Sequence, residues 1–209
     1  MEQLKDDNMT EYDKAINLML SFKKNFQNLD IKNDKKEKVP KKLISELGEF
    51  YVFRELGKRF KDIELKGGQG KFDIRVGKNR IEVKTSTLKF DRLYNKQIEF
   101  WGWTVKKARK NDKQKIDEQR FDFLVGVALY ESWENPEFYV FTFEEAYTKN
   151  FDVYVEQYPS IQKKIHIFKN EQDLLNAIEF SHNKVTNQEC HINRNKSKFL
   201  NQWAKIQEN

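Results

Sequence analysis

The stretch KFDIRVGKNRIEVKTS, residues 71–86, decides how this chain is read. Phe72, Ile74 and Val76 alternate with Asp73 and Arg75, and Ile81 and Val83 alternate with Glu82 and Lys84. A period of two marks a strand with one apolar and one polar face. Gly77, Lys78 and Asn79 between the two runs are turn residues, so the stretch predicts a β-hairpin. A two-residue loop at Lys78-Asn79, or a four-residue loop over 77–80, pairs Asp73 with Lys84 and Arg75 with Glu82. A three-residue loop would turn one strand over and mix the faces, which the apolar pattern disfavours. In the favoured registers Asp73, Glu82 and Lys84 stand together above an apolar underside.

Two carboxylates and a lysine on one face suit a hard divalent cation. Mg²⁺ takes oxygen ligands and keeps several waters, so one or two carboxylates plus a substrate phosphate suffice. A bound metal lowers the pKa of its water and stabilises charge developing on a phosphate. A lysine beside it would hold the attacking water and offset the phosphate's negative charge. The competing reading is a solvated hairpin face with charges paired across the strands. With 34% of residues charged, an aspartate followed by Glu-x-Lys also arises by chance.

The upstream segment KKLISELGEFYVFRELGKRF, residues 41–60, predicts a helix with Pro40 at its first turn. At about 100° per residue Glu49 projects into the stripe of Phe53, Leu56 and Phe60, with Glu46 at its edge. A glutamate in an apolar stripe is costly without a partner. A neighbouring metal site would supply one; a lysine at the helix rim is the alternative.

A helix carrying a glutamate (LGEFYVF), then Asp73 on a strand, then Glu82-Val83-Lys84 on the next strand, resembles the PD-(D/E)xK nuclease superfamily. FDFLVGVALY downstream looks like a buried core strand of that fold. The likeness spans roughly residues 40–145, and the proline that usually precedes the aspartate is replaced by Phe72. It implies an α/β (α+β) restriction-endonuclease-like core, a central mixed sheet of five or six strands flanked by helices. Asp73 and Glu82 then correspond to metal ligands, Glu49 to the upstream helix acid at the metal, and Lys84 to the water-positioning lysine. The implied cofactor is Mg²⁺, with Mn²⁺ as a substitute. The implied activity is hydrolysis of double-stranded DNA phosphodiesters, most like a type II restriction endonuclease acting as a homodimer in a bacterial or archaeal cytoplasm. A structure-selective nuclease of the Holliday-junction or repair type, and a catalytically silent DNA-binding module on the same fold, are the alternatives.

At 209 residues one main domain with a real core is expected, its bulk supplied by 17 Phe, 8 Tyr and 4 Trp. Residues 1–38 read as an N-terminal helix and charged linker, 39–150 as the nuclease core, and 151–209 as a C-terminal helical extension packed on it. No apolar run is long enough for a membrane span, and residues 1–10 lack a secretory apolar region. The single cysteine, Cys190, excludes an intrachain disulfide and a multi-cysteine zinc site. The net charge is +6 and uneven: Lys106, Lys107, Arg109, Lys110, Lys113 and Lys115 crowd just past the aromatic run IEFWGWTV. Such a cluster suits phosphate backbones, although a lysine-rich solvated loop would read the same way. Trp101 and Trp103 share a strand face, as core residues or, less simply, as platforms for bases.

Elsewhere, residues 10–28 predict an amphipathic helix opened by a Thr10–Asp13 capping box, with Tyr12, Ile16, Met19 and Phe22 on one face. Strands are expected near residues 61–65, 98–105, 121–130 and 137–142, and helices over 144–149, 170–180 and 196–206. The polar run 85–97 reads as a connection.

Overall fold

Each long periodic segment becomes the element its period predicts. The computed structural model describes residues 10–30, 39–66, 72–93, 96–106, 120–147, 162–181, 189–193 and 198–207. Helix α1 (Glu11–Asp30) starts at Thr10, whose hydroxyl accepts from the Asp13 N–H (3.2 Å) while the Asp13 carboxylate accepts from the Thr10 N–H (3.3 Å). Helix α2 (Lys41–Gly57) follows Pro40, which needs no N–H there. Strands β1 (Ile63–Leu65), β2 (Ile74–Val76) and β3 (Asn79–Thr87) follow in antiparallel succession. Strand β4 (Lys89–Leu93) pairs with β5 (Lys96–Lys106), and β6 (Phe123–Leu129) with β7 (Glu137–Thr142). The chain continues through α3 (Phe143–Tyr147), β8 (Gln162–Phe168), α4 (Glu171–Ser181) and β9 (Glu189–Asn193).

The central sheet has the order β1-β2-β3-β6-β7, with β3 and β6 parallel and the other pairs antiparallel. It is the expected mixed five-stranded sheet flanked by helices. One face carries α2, through Leu47, Tyr51, Val52 and Leu56, packed on Ile81, Val83, Val125 and Val127. Helix α1 lies against α2, and Ile16, Met19 and Leu20 join that core. Phe22 departs from expectation: it is exposed, and Lys23 is buried in its stead, its ammonium over the Trp133 ring and donating to the Glu131 carbonyl.

The opposite face is covered by a second sheet, β4-β5-β8-β9, that the sequence reading did not foresee. Three corrections follow. The polar run 85–97 is largely strand, because Thr85, Ser86 and Thr87 continue β3 in register with Val127, Ala128 and Leu129. Within 151–209, read as helical, β8 and β9 supply half of the second sheet. Ile165 and Ile167 alternate along β8 and bury against Trp101 and Trp103, a strand signal in KKIHIF that the helical reading overlooked. The segment 196–206 is likewise not an α-helix where described: Leu200 bridges Tyr139, and only Trp203–Lys205 forms a single 3₁₀ turn. Helix α4 covers the outer face of the second sheet at Ile98 and Phe168.

Trp101 and Trp103 belong to the core between the sheets. Their indole N–H groups donate to the carbonyls of Leu129 (2.9 Å) and Val127 (3.3 Å), so neither ring is available to a base. Those bonds satisfy the indoles' one polar atom, without which burial of so large an aromatic would be costly.

Candidate metal centre on the hairpin

The hairpin forms, but in a register shifted by two residues from the one expected. Ile74 pairs with Ile81, Arg75 with Arg80 and Val76 with Asn79, around a two-residue turn at Gly77-Lys78. Gly77 takes φ 54°, the left-handed geometry of a II′-like hairpin turn, whose twist matches that of the strands. The glycine therefore sets the turn, one residue earlier than the Lys78-Asn79 loop. A shift of two preserves the face of every side chain. It changes the neighbours: Asp73, just outside the paired residues, comes under the charge of Glu82 as well as that of Lys84.

Asp73 lies just before β2, where its N–H donates to the Ile81 carbonyl (3.0 Å) and its Oδ2 accepts from the Val83 N–H (2.7 Å). Glu82 and Lys84 lie on β3, and the Lys84 ammonium donates to Glu82 Oε1 and to the Val83 carbonyl (3.3 Å). Parallel pairing with β6 sets Glu82 beside Leu124 and Lys84 beside Gly126, strapping the strand into the sheet interior. Arg80 clamps the start of β3 to the start of β6 through Asp122, at 3.0 and 2.9 Å from its side chain and 2.7 Å from its backbone N–H.

Glu49 is brought alongside by α2. The buried stripe of that helix runs through Leu47, Tyr51, Val52 and Leu56, so Glu49 sits half-buried at its margin rather than within it. Ser45 Oγ donates to Glu49 Oε1 at 3.5 Å. Glu46 pairs instead with Lys42 at 3.5 Å, so of the two helix acids it is Glu49 that adjoins the hairpin.

Burial raises the Glu49 pKa to about 7, helped by the charges of Asp73 and Glu46 and opposed by Lys84 and the Ser45 hydroxyl. Burial and the Glu82 charge raise Asp73 to about 6, against the Val83 N–H and Lys84. Three carboxylates thus share one lysine. The other cations of the hairpin face are engaged elsewhere, Arg75 with Glu64 (2.5 Å) on β1 and Arg80 with Asp122. Cross-strand pairing therefore leaves Asp73 without a cationic partner of its own among the described residues. This donor set fits a hard divalent cation: carboxylate oxygens, half-buried, with an excess of negative charge. Among the described residues no three His, Cys, Asp or Glu side chains are close-set enough to form a ready-made cage. A cation that keeps most of its waters does not require one.

The basic cluster falls differently. Lys106 ends β5, while Lys107, Arg109, Lys110, Lys113 and Lys115 lie outside the described residues, as does the glycine loop 67–70. Sequence reasoning missed Gly48, whose lack of a side chain lets α2 reach β3; a glycine inside a strong helix pattern was the available signal. Among the described residues no helix is long and apolar enough to cross a membrane.

No family model and no curated protein matches the chain. Among solved structures it is similar to a bacterial homing endonuclease, I-Ssp6803I, at 19% sequence identity and a TM-score of 0.30, over 49% of this chain and 69% of that chain.

Proposed function

We propose that this protein is a Mg²⁺-dependent endodeoxyribonuclease, with Asp73 and Glu82 as metal-holding carboxylates, Glu49 as a third acid beside them and Lys84 as the water-positioning group. The observation that supports it is the half-buried Asp73–Glu82 pair with its elevated Asp73 pKa and one shared lysine. Such a pair is held at a cost in the absence of a cation. When bound, Mg²⁺ would supply charge for the phosphate and an acidified water. The chain's own part is orientation. The Val83 N–H fixes one oxygen of Asp73, and Lys84 fixes one oxygen of Glu82; the second oxygen of each is the one a cation would take. Lys84 is about a third exposed, so its ammonium reaches solvent, where it would hold a water for in-line attack on phosphorus. The finer reading is a sequence-specific type II restriction endonuclease that acts as a homodimer on a palindromic site. In it Lys106, Lys107, Arg109, Lys110 and Lys113 contribute phosphate contacts and salt-sensitive affinity.

The test incubates plasmid DNA with the protein and Mg²⁺ or Mn²⁺, beside EDTA and an Asp73→Ala variant. Discrete bands support a sequence-specific enzyme, whereas cleavage confined to branched substrates indicates a junction or repair nuclease. Absence of metal-dependent cleavage of any DNA or RNA removes the enzyme reading. Cleavage that survives Asp73→Ala removes this site.

A further inference from the structure

Helix α2 contains one glycine in its buried stretch, Gly48, and it precedes Glu49. A glycine inside a helix costs roughly 0.5–1 kcal/mol relative to alanine, so its place there calls for a compensating contact. That contact is Thr85 on β3, the residue after Lys84. A Cβ built on Gly48 would lie 1.8 Å from Thr85 Oγ1, 2.9 Å from its Cβ and 3.0 Å from its Cγ2. Turning the threonine to another rotamer moves the hydroxyl and the methyl but not the Cβ. Any side chain at position 48 must therefore push the helix and the strand apart. Thr85 carries a second mark of this closeness: its hydroxyl is buried with no hydrogen-bond partner.

We infer that Gly48 is a positioning residue, and that its backbone contact with Thr85 fixes the distance between Glu49 on the helix and the Asp73–Glu82–Lys84 group on the hairpin. The inference rests on the metal-centre reading above and deepens it. Chain neighbours carry the geometry, since Gly48 and Thr85 touch and Glu49 and Lys84 are the residues next to each. A displacement of under an ångström at this contact passes directly to the carboxylate, and a misplacement of about 1 Å in such a site costs on the order of 10²-fold in rate.

The experiment compares Gly48→Ala, Thr85→Gly, Glu49→Gln and the doubles G48A/T85G and G48A/E49Q with the wild type. Three quantities are measured: the metal-free melting temperature, Mn²⁺ affinity by electron paramagnetic resonance without DNA, and metal-dependent plasmid cleavage. Gly48→Ala is expected to lower the melting temperature by roughly 2–10 °C, as overpacking does in a domain of this size. In the Thr85→Gly background the same change should have little effect, because the atoms that clash are gone. Gly48→Ala should weaken Mn²⁺ binding and cut cleavage by about tenfold or more at a temperature where the variant is folded. G48A/E49Q should be no worse than E49Q alone, because the loss travels through that one carboxylate.

A Gly48→Ala protein that melts lower yet keeps wild-type Mn²⁺ affinity and cleavage would overturn the inference. So would multiplying losses in G48A/E49Q. A wild type that binds Mn²⁺ but cuts no nucleic acid would remove the nuclease reading and leave this one to be decided by Mn²⁺ affinity. A wild type that does not bind Mn²⁺ would overturn both.

Discussion

Replacing Glu49 by Gln should stabilise the metal-free protein at alkaline pH and do nothing of the kind in acid. The Glu49 pKa is raised from 4.5 to about 7 because burial and the nearby Asp73 charge favour the neutral acid. A group whose neutral form is favoured in the folded state contributes its full stability below the unfolded pKa, here about 4.5. That contribution is lost as the pH rises toward 7, where the folded protein must ionise a carboxylate it holds unfavourably. At 1.36 kcal/mol per pKa unit the cost at pH 8 is at most about 3 kcal/mol. Part of it is Asp73 repulsion, which salt and side-chain relaxation reduce, so about 2 kcal/mol is the working figure. For a chain of this length that corresponds to roughly 4–8 °C in melting temperature. Glutamine keeps the shape of the neutral acid and cannot ionise. The assay is thermal unfolding in EDTA, followed by circular dichroism at pH 4.5 and pH 8. The gain of Glu49→Gln over wild type should be near zero at the lower pH and several degrees at the higher. An equal gain at both values, or a loss at pH 8, would refute the claim that Glu49 is held against its charge. Adding Mg²⁺ at pH 8 should raise the wild type more than the variant, since a ligand stabilises only the state that binds it.

Four further outcomes follow from the same geometry. Lys84→Met should lower cleavage by about 10²-fold or more at saturating Mg²⁺ while leaving the fold intact, as steady-state kinetics and circular dichroism would show. Thr85→Ala removes the unpartnered buried hydroxyl together with the methyl pressed against Gly48, and should shift stability by no more than about 1 kcal/mol in urea unfolding because relief of the unsatisfied group offsets the lost packing. Trp101→Ala empties a fully buried site and removes the donor to the Leu129 carbonyl; a loss of about 3–5 kcal/mol by the same measurement is expected. Asp122→Ala frees Arg80 from its anchor at the start of β3 and β6, and should cost about 1–3 kcal/mol.

The candidate site was legible to the extent that it is local. Asp73, Glu82 and Lys84 fall on one face of a hairpin because two period-two runs, 72–76 and 80–84, are joined by turn residues. Their separation in the chain is so small that any register preserving the apolar face gathers them. The register itself was missed by two residues, since Gly77 and Lys78-Asn79 both read as turns and only strand twist chooses between them. Glu49 was legible as a misplaced acid in a helix, and its place beside Asp73 followed from the family resemblance, since periodicity alone offered a lysine at the helix rim equally well.

What sequence alone determined is therefore the two N-terminal helices, the strands of the central sheet, the face each candidate site side chain takes, and the choice of chemistry those residue types allow. These depend on backbone periodicity and turn residues within about a dozen positions. The tertiary structure decided what no local rule reaches. It laid a second sheet over the face expected to carry only helices, and it buried Trp101 and Trp103 between the sheets. It also set Gly48 against Thr85, 37 positions away, so that an acid on the helix meets the carboxylates of the hairpin. Such contacts are chosen by the competition of whole surfaces for burial, and that is settled only when the complete chain packs.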